Sequence, residues 1–315
     1  MRRLTAEIAG QRRHAASAGD LAHGWLPARV PVAYHARMHQ ERNGARELGL
    51  VIATLAVCVH FVDGLPLWVA TILMIAATVA AVTHLLGEWR PWRVPPERLV
   101  LPGLAAFAAA GIAHLFAPVP WLALVFASAW VMVTWVVDLE TASGESDAEA
   151  GAERDAEAPE PTGAGGGHSR PFAVRVGTLG IAFLAFAAVG GFVPAGLAGD
   201  GKTLTATALV ATIALDVVIG ALAGYRIAVL RLHSWREGVV ALYQYAVAAG
   251  HVGGFLRVLA LPRLFGPALL TLLLYLVTGF RESPTPIRRS RRLTEESGLL
   301  VLAGAAAVIW GLLAK

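Results

Sequence analysis

The sequence predicts an all-α, polytopic integral membrane protein, a helical bundle of about nine transmembrane helices. Three observations carry this expectation. First, the 315 residues are 56% hydrophobic and only 15% charged, whereas a soluble domain carries about 25% charged residues. Second, the apolar residues come in unbroken blocks of roughly 20, which suit a hydrocarbon core of ~30 Å at ~1.5 Å per helical residue. A transmembrane barrel would show shorter, alternating segments. Third, the basic residues, all Arg except Lys202 and Lys315, gather in alternate loops, the pattern that sets membrane topology.

Residues 1–47 read as a basic arm with eight Arg and no apolar core suited to a signal peptide. The arm is expected on the cytoplasmic side, either along the anionic membrane surface or as a solvated tail. Spans are expected at 48–62, 65–86, 99–117, 119–138, 172–196, 203–224, 238–261, 264–280 and 298–314. Proline residues such as Pro66, Pro102, Pro118 and Pro262 fall near span ends, where the missing N–H matters least.

The segment 238–261 is the most polar of these, with Tyr243, Gln244, Tyr245, His251 and Arg257. Its alternative is a re-entrant segment, leaving eight spans. Charge favours a span. With it, the arm and the loops 87–98, 225–236 and 281–297 are all cytoplasmic, and only Arg257 and Arg263 fall toward the outside. Without it, Arg281, Arg288, Arg289, Arg291 and Arg292 would be translocated.

Two transmembrane parts follow, a four-helix unit over 48–138 and a five-helix unit over 172–315. Between them, 139–171 carries eight acids from Glu140 to Glu160, then Pro161 and the run Gly163-Ala164-Gly165-Gly166-Gly167. High charge and low hydrophobicity predict a disordered cytoplasmic linker, or a docking site for a basic protein partner. The tips Val59-His60-Phe61-Val62-Asp63 and Ala113-His114-Leu115-Phe116-Ala117 echo each other, each followed by Pro and Trp. They suggest either a duplicated hairpin or chance likeness between apolar hairpins.

Asp216 stands in the middle of the sixth span, away from the loops and helix ends that hold the other acids. A carboxylate at bilayer depth is costly and marks a functional position. It shares a face with Gly220 and Gly224, whose spacing allows close helix approach. The seventh span repeats the device with Gly250 and Gly254, beside His251, and Gln244 lies a heptad earlier. Spans six and seven run antiparallel, so Asp216 and His251 are expected at similar depth. Such a couple relays a proton or binds an ion, or locks two helices together. Near the outer tips, His60, Asp63 and His114 are the candidate metal ligands, two imidazoles and a carboxylate suited to a zinc-like ion. Their other reading is interfacial histidines beside belt residues Trp68 and Trp121.

Two local strings are similar to known families. Gly250-His251-Val252-Gly253-Gly254-Phe255-Leu256-Arg257 is similar to the glycine-rich pore helices of trimeric intracellular cation channels, which agrees with a channel. The first half of the chain has no counterpart of their second glycine-rich helix. Gly199-Asp200-Gly201-Lys202-Thr203-Leu204 resembles part of the prepilin peptidase pattern. One span separates Asp200 from Asp138, which places them on opposite sides, whereas catalytic carboxylates must meet.

No P-loop, zinc-protease, nucleophile-elbow or dinucleotide motif occurs in a usable context, and no cofactor is expected. Nucleic-acid binding is not expected either, because the Arg residues follow the topology. The leading expectation is a secondary transporter or channel of the plasma membrane, surrounded by the lipid bilayer and acting on a small solute or ion. Its site is Asp216, His251 and Gln244, with a proton-linked step. One alternative is a membrane-embedded enzyme for a lipid or isoprenoid substrate, using His84, Glu88, Arg90, Arg226, His233 and Arg236 at the cytoplasmic face. The other is a non-catalytic assembly or scaffold subunit, working as a homo-oligomer or with a protein partner.

Overall fold

The computed structural model describes residues 32–86, 94–115, 119–155, 169–193, 205–229, 235–259, 261, 264–282 and 291–313. Among these the chain forms helices α1 (Val32–Val59), α2 (Leu65–Leu85), α3 (Pro96–Leu115), α4 (Leu122–Asp155), α5 (Ser169–Phe192), α6 (Ala206–Val229), α7 (Trp235–Val258), α8 (Phe265–Glu282) and α9 (Arg291–Leu313). A single 3-10 turn at Val119–Trp121 leads into α4. No strand occurs among the described residues.

Each expected span overlaps one helix over its described residues, but not all are equally apolar. Among the described residues, six helices are long and apolar enough to cross a membrane: α2, α3, the first part of α4 (Leu122–Thr141), α5, α6 and α7. The apolar stretches of α8 and α9 are shorter, Phe265–Arg281 and Ser297–Trp310. Most of the segment 238–261, up to Val258, lies in one uninterrupted helix, α7. Large apolar side chains such as Ile72, Leu73, Val131, Val210 and Phe255 face outward, more than half exposed. Exposure of this kind along six apolar helices is costly in water and natural in lipid. The fold is that of a helical membrane protein.

Boundaries differ from expectation in two places. Helix α1 begins at Val32, inside the basic arm. Helix α4 continues to Asp155, so the first half of the acidic segment is helical. Ala148, Glu149, Ala150, Ala152 and Glu153 supply the reason, since Ala and Glu are among the best helix formers. The rest of that segment, 156–168, lies outside the described residues, as do residues 1–31.

Contacts divide the chain into Met1–Asn43, whose described part is the first portion of α1, and Gly44–Lys315. The helices of both expected transmembrane parts lie in this second unit. At its centre α3 and α5 run parallel, buried along much of their length. Gly111 of α3 meets Ala188 and Phe192 of α5, and Gly191 of α5 lies on the Gly111 carbonyl. Side chains at these glycines would force the backbones apart. Phe192 then stacks on Phe107 at 4.7 Å and tilts against Trp68 at 5.1 Å. The turn into α2 is made by Gly64, at φ 67°, a conformation that L side chains rarely adopt.

Four buried threonines are satisfied within their own helices. Thr71, Thr78, Thr178 and Thr278 each donate to the carbonyl four residues back, at 2.7–2.8 Å. This back-bonding lets a hydroxyl sit in an apolar interior at little cost.

Candidate functional site

Helices α6 and α7 form an antiparallel pair whose register is fixed by small residues. Gly224 of α6 receives the Tyr245 ring, Gly220 faces Ala249, and Asp216 faces Gly253. A Cβ at Gly253 would come within 3.0 Å of Asp216 Oδ2, so the glycine makes room for the carboxyl. Gly250 and Gly254 flank this seam, against Val217 and Ile213.

This register decides the partner of Asp216. Helical side chains lean toward the helix N-terminus. The residue that leans back to the level of Gly253 is Arg257, one turn further on. Its guanidinium grips the carboxylate with both edges: Arg257 Nε donates to Oδ2 at 3.2 Å and Nη2 donates to Oδ1 at 3.0 Å. Asp216 is fully buried and Arg257 retains 8% of its exposure. Planar two-pronged pairing is the strongest way to hold a carboxylate in an apolar interior.

The expected couple of Asp216 with His251 does not form. His251 lies two residues before Gly253, roughly 200° round the helix. It is exposed, and its Nδ1 contacts the Val247 carbonyl of its own helix at 2.8 Å. Gln244 is also exposed and serves another contact, accepting from Arg281 Nη1 of α8 at 3.1 Å. Equal depth was legible in the sequence, but the face each residue occupies depended on the packing register.

A second buried ion pair holds the other side of α6. Arg226 Nη2 donates to Glu140 Oε1 at 2.8 Å and to Oε2 at 2.9 Å, and its Nε donates to Oε1 at 3.2 Å. Glu140 is fully buried and Arg226 nearly so. The pair joins the C-terminal part of α6 to α4. Glu97 and Arg98, at the start of α3, act electrostatically on Tyr225 and Glu140 respectively, which puts them at the same end of the bundle. Arg281 of α8 reaches the Glu237 carbonyl at the start of α7, again at this end. Sequence reasoning placed Glu140 in a solvated linker, because one acid at the head of an acidic run looks like the rest.

At the opposite end the two echoing tips meet. His114 Nε2 lies 3.2 Å from Asp63 Oδ1, and His60 Nδ1 contacts the Ala113 carbonyl at 2.9 Å. The imidazole rings stand edge to face, with centroids 6.1 Å apart. The candidate metal triad is therefore corrected. Among the described residues no group of three His, Cys, Asp or Glu side chains could hold a metal ion. One nitrogen of His60 is occupied by backbone, and the Asp63 side chain is 90% exposed.

Among the described residues, the apolar cavities include two between helices. One, of about 440 Å³, is bounded by Ile112, Leu124, Ser128, Met132, Phe183 and Leu264. The other, of about 340 Å³, is bounded by Ile75, Val79, Leu99, Phe107, Leu215 and Ile219. Neither is lined by Asp216, Arg257, Glu140 or Arg226.

The residue that sequence reasoning missed is Arg257. A signal was present, since the topology expected from the sequence leaves Arg257 as one of only two arginines toward the outside. An arginine so placed needs a compensating acid, and Asp216 is the acid at hand. Of the enzyme-type cluster, Arg226 is engaged by Glu140, and Glu88, Arg90 and His233 lie outside the described residues. Compared with known proteins, the chain matches no family model, no curated protein and no solved structure at a significant level.

Proposed function

We propose that the protein is a secondary transporter or channel for a small solute or ion, with the Asp216–Arg257 pair as its charged centre. The observation that carries this reading is that pair itself. Two opposite charges are buried together between two glycine-packed helices, each apolar enough to cross a membrane. Ionisable groups at such depth are expensive and usually belong to a solute or proton path.

On this reading the protein lies in the plasma membrane, and the charge distribution supports an orientation with the N-terminus cytoplasmic. Arg98, Arg226 and Arg281 cluster at one end of the bundle, the end that the charge rule assigns to the cytoplasm. Arg257, in the last turn of α7, then lies in the external half, with its guanidinium leaning back to Asp216.

A second reading, a non-catalytic assembly subunit, draws on a different observation. Both pairs are almost fully buried, and neither of the two apolar cavities described above is lined by them. On that reading the charges are fasteners alone.

Purified protein in liposomes discriminates the two. Proton entry, followed with a trapped pH dye under an imposed membrane potential, and conductance in planar bilayers are the measurements. The transport reading expects activity above protein-free vesicles, lost in Arg257→Gln. Folded wild-type protein that is silent in both assays overturns it in favour of the assembly role.

A further inference from the structure

We infer that the Asp216–Arg257 pair is an exchange site for a small anion, which enters together with a proton. The inference rests on the transport reading and names its substrate class. The anion takes the place of the Asp216 carboxylate on the Arg257 guanidinium, and the displaced carboxylate takes up the proton.

The argument begins with charge balance. In the resting pair one carboxylate neutralises one guanidinium through two parallel hydrogen bonds. At bilayer depth the site stays close to neutral, because an uncompensated charge there is strongly disfavoured. An anion arriving at Arg257 makes the site negative unless Asp216 loses its own charge. Protonating Asp216 restores neutrality, giving a neutral carboxylic acid beside an arginine–anion pair. One proton and one negative charge are gained together.

Geometry favours Arg257 as the receiving group. Its fork already presents two N–H groups to a carboxylate, the geometry that small oxyanions also accept. Arg257 stands in the last turn of α7, whereas Asp216 is deep in α6 with no exposure. Of the two side chains, that of Arg257 keeps 7% of its exposure and that of Asp216 none. Gly253 leaves the carboxyl against the α7 backbone without a side chain between them.

The surroundings keep the coupling simple. Among the described residues, the charged group that acts on Asp216 is Arg257. On α7, His251 is turned outward to Val247, and Arg236 and Glu237 lie in the first turn at the far end. On α3, Glu97 and Arg98 belong to that same far end, and His114 pairs with Asp63. Arg175 on α5 and Arg281 on α8 lie toward the far end as well. Tyr245 bonds Thr278, and Tyr225 lies by Gly238.

The test uses the purified full-length chain and three probes, chloride, nitrate and lactate, each balanced against gluconate at equal ionic strength. Thermal unfolding is followed at mildly acidic and mildly alkaline pH. A bound anion raises Tm by mass action. The expected result for the wild type is a rise of a few degrees with at least one probe at acidic pH, and none at alkaline pH. Asp216→Asn, which mimics the protonated acid, is expected to respond at both pH values, and Arg257→Gln at neither. If Asp216→Asn does not fold, the pH contrast in the wild type decides alone. In liposomes, an inward gradient of the responding anion is expected to acidify the lumen.

No Tm response to any of the three probes overturns the inference, as does a response of equal size at both pH values. Proton or ion flux without dependence on the anion overturns it too, while leaving the transport reading standing. The absence of all flux removes the transport reading itself.

Discussion

Arg257 reaches back one helical turn, past Gly253, to clasp both oxygens of Asp216 across the α6–α7 seam. The relationship joins the acid that the sequence puts in the middle of an apolar span to an arginine that the expected topology puts toward the outside. Each residue accounts for the other.

Breaking this pair from one side leaves the other charge buried and uncompensated. Arg257→Ala is expected to cost about 3–5 kcal/mol of stability. The double variant Asp216→Asn/Arg257→Gln is expected to cost clearly less than the sum of the two single variants. Unfolding by SDS in mixed micelles measures the cycle. Additive losses would mean that the two side chains do not interact in the folded protein.

His251→Ala is expected to change stability by no more than about 0.5 kcal/mol, as for other exposed positions without a special contact. Its flux is expected to equal that of the wild type. A large loss in either measurement would return His251 to the centre of the site and displace Arg257.

Glycine substitutions separate seam positions from open ones. Gly224→Ala drives a methyl into the Tyr245 ring and is expected to cost about 1–3 kcal/mol. Gly180, in α5, has nothing within 4 Å of its Cβ direction. Gly180→Ala is expected to be neutral or to stabilise by up to about 1 kcal/mol, through the better helix propensity of alanine. Equal effects at the two sites would contradict the α6–α7 register.

The Glu140–Arg226 pair predicts a swap. Glu140→Gln and Arg226→Ala each lower the unfolding midpoint. Glu140→Arg with Arg226→Glu together are expected to recover part of the loss, because the geometry is two-pronged and close. Unfolding midpoints that fall further in the double variant than in either single variant would show that burial, rather than pairing, dominates at this position.

The fold was legible in the sequence because apolar block length and charge placement are one-dimensional signals. The helix positions, the continuity of α7 and the depth of Asp216 all follow from them. What stayed hidden depends on rotation about the helix axis. His251 and Gly253 differ by two positions, yet only the glycine faces α6. Their exposure was undecidable until Gly220, Gly224 and Tyr245 set the register. Glu140 was hidden for another reason. Its partner lies 86 residues away, and nothing near it in the chain distinguishes it from the acids that follow.

The order in which these partners are made has a consequence for biogenesis. When Arg226 emerges from the ribosome, Glu140 has already been synthesised, 86 residues earlier. Asp216 has the reverse history, since Arg257 follows it by 41 residues. At roughly 5–20 residues per second, that is an interval of about 2–8 s. During it, α6 carries an acid with no arginine to meet it. The α6–α7 hairpin therefore has reason to enter the membrane as one unit, with α6 held in the insertion machinery until its partner helix arrives.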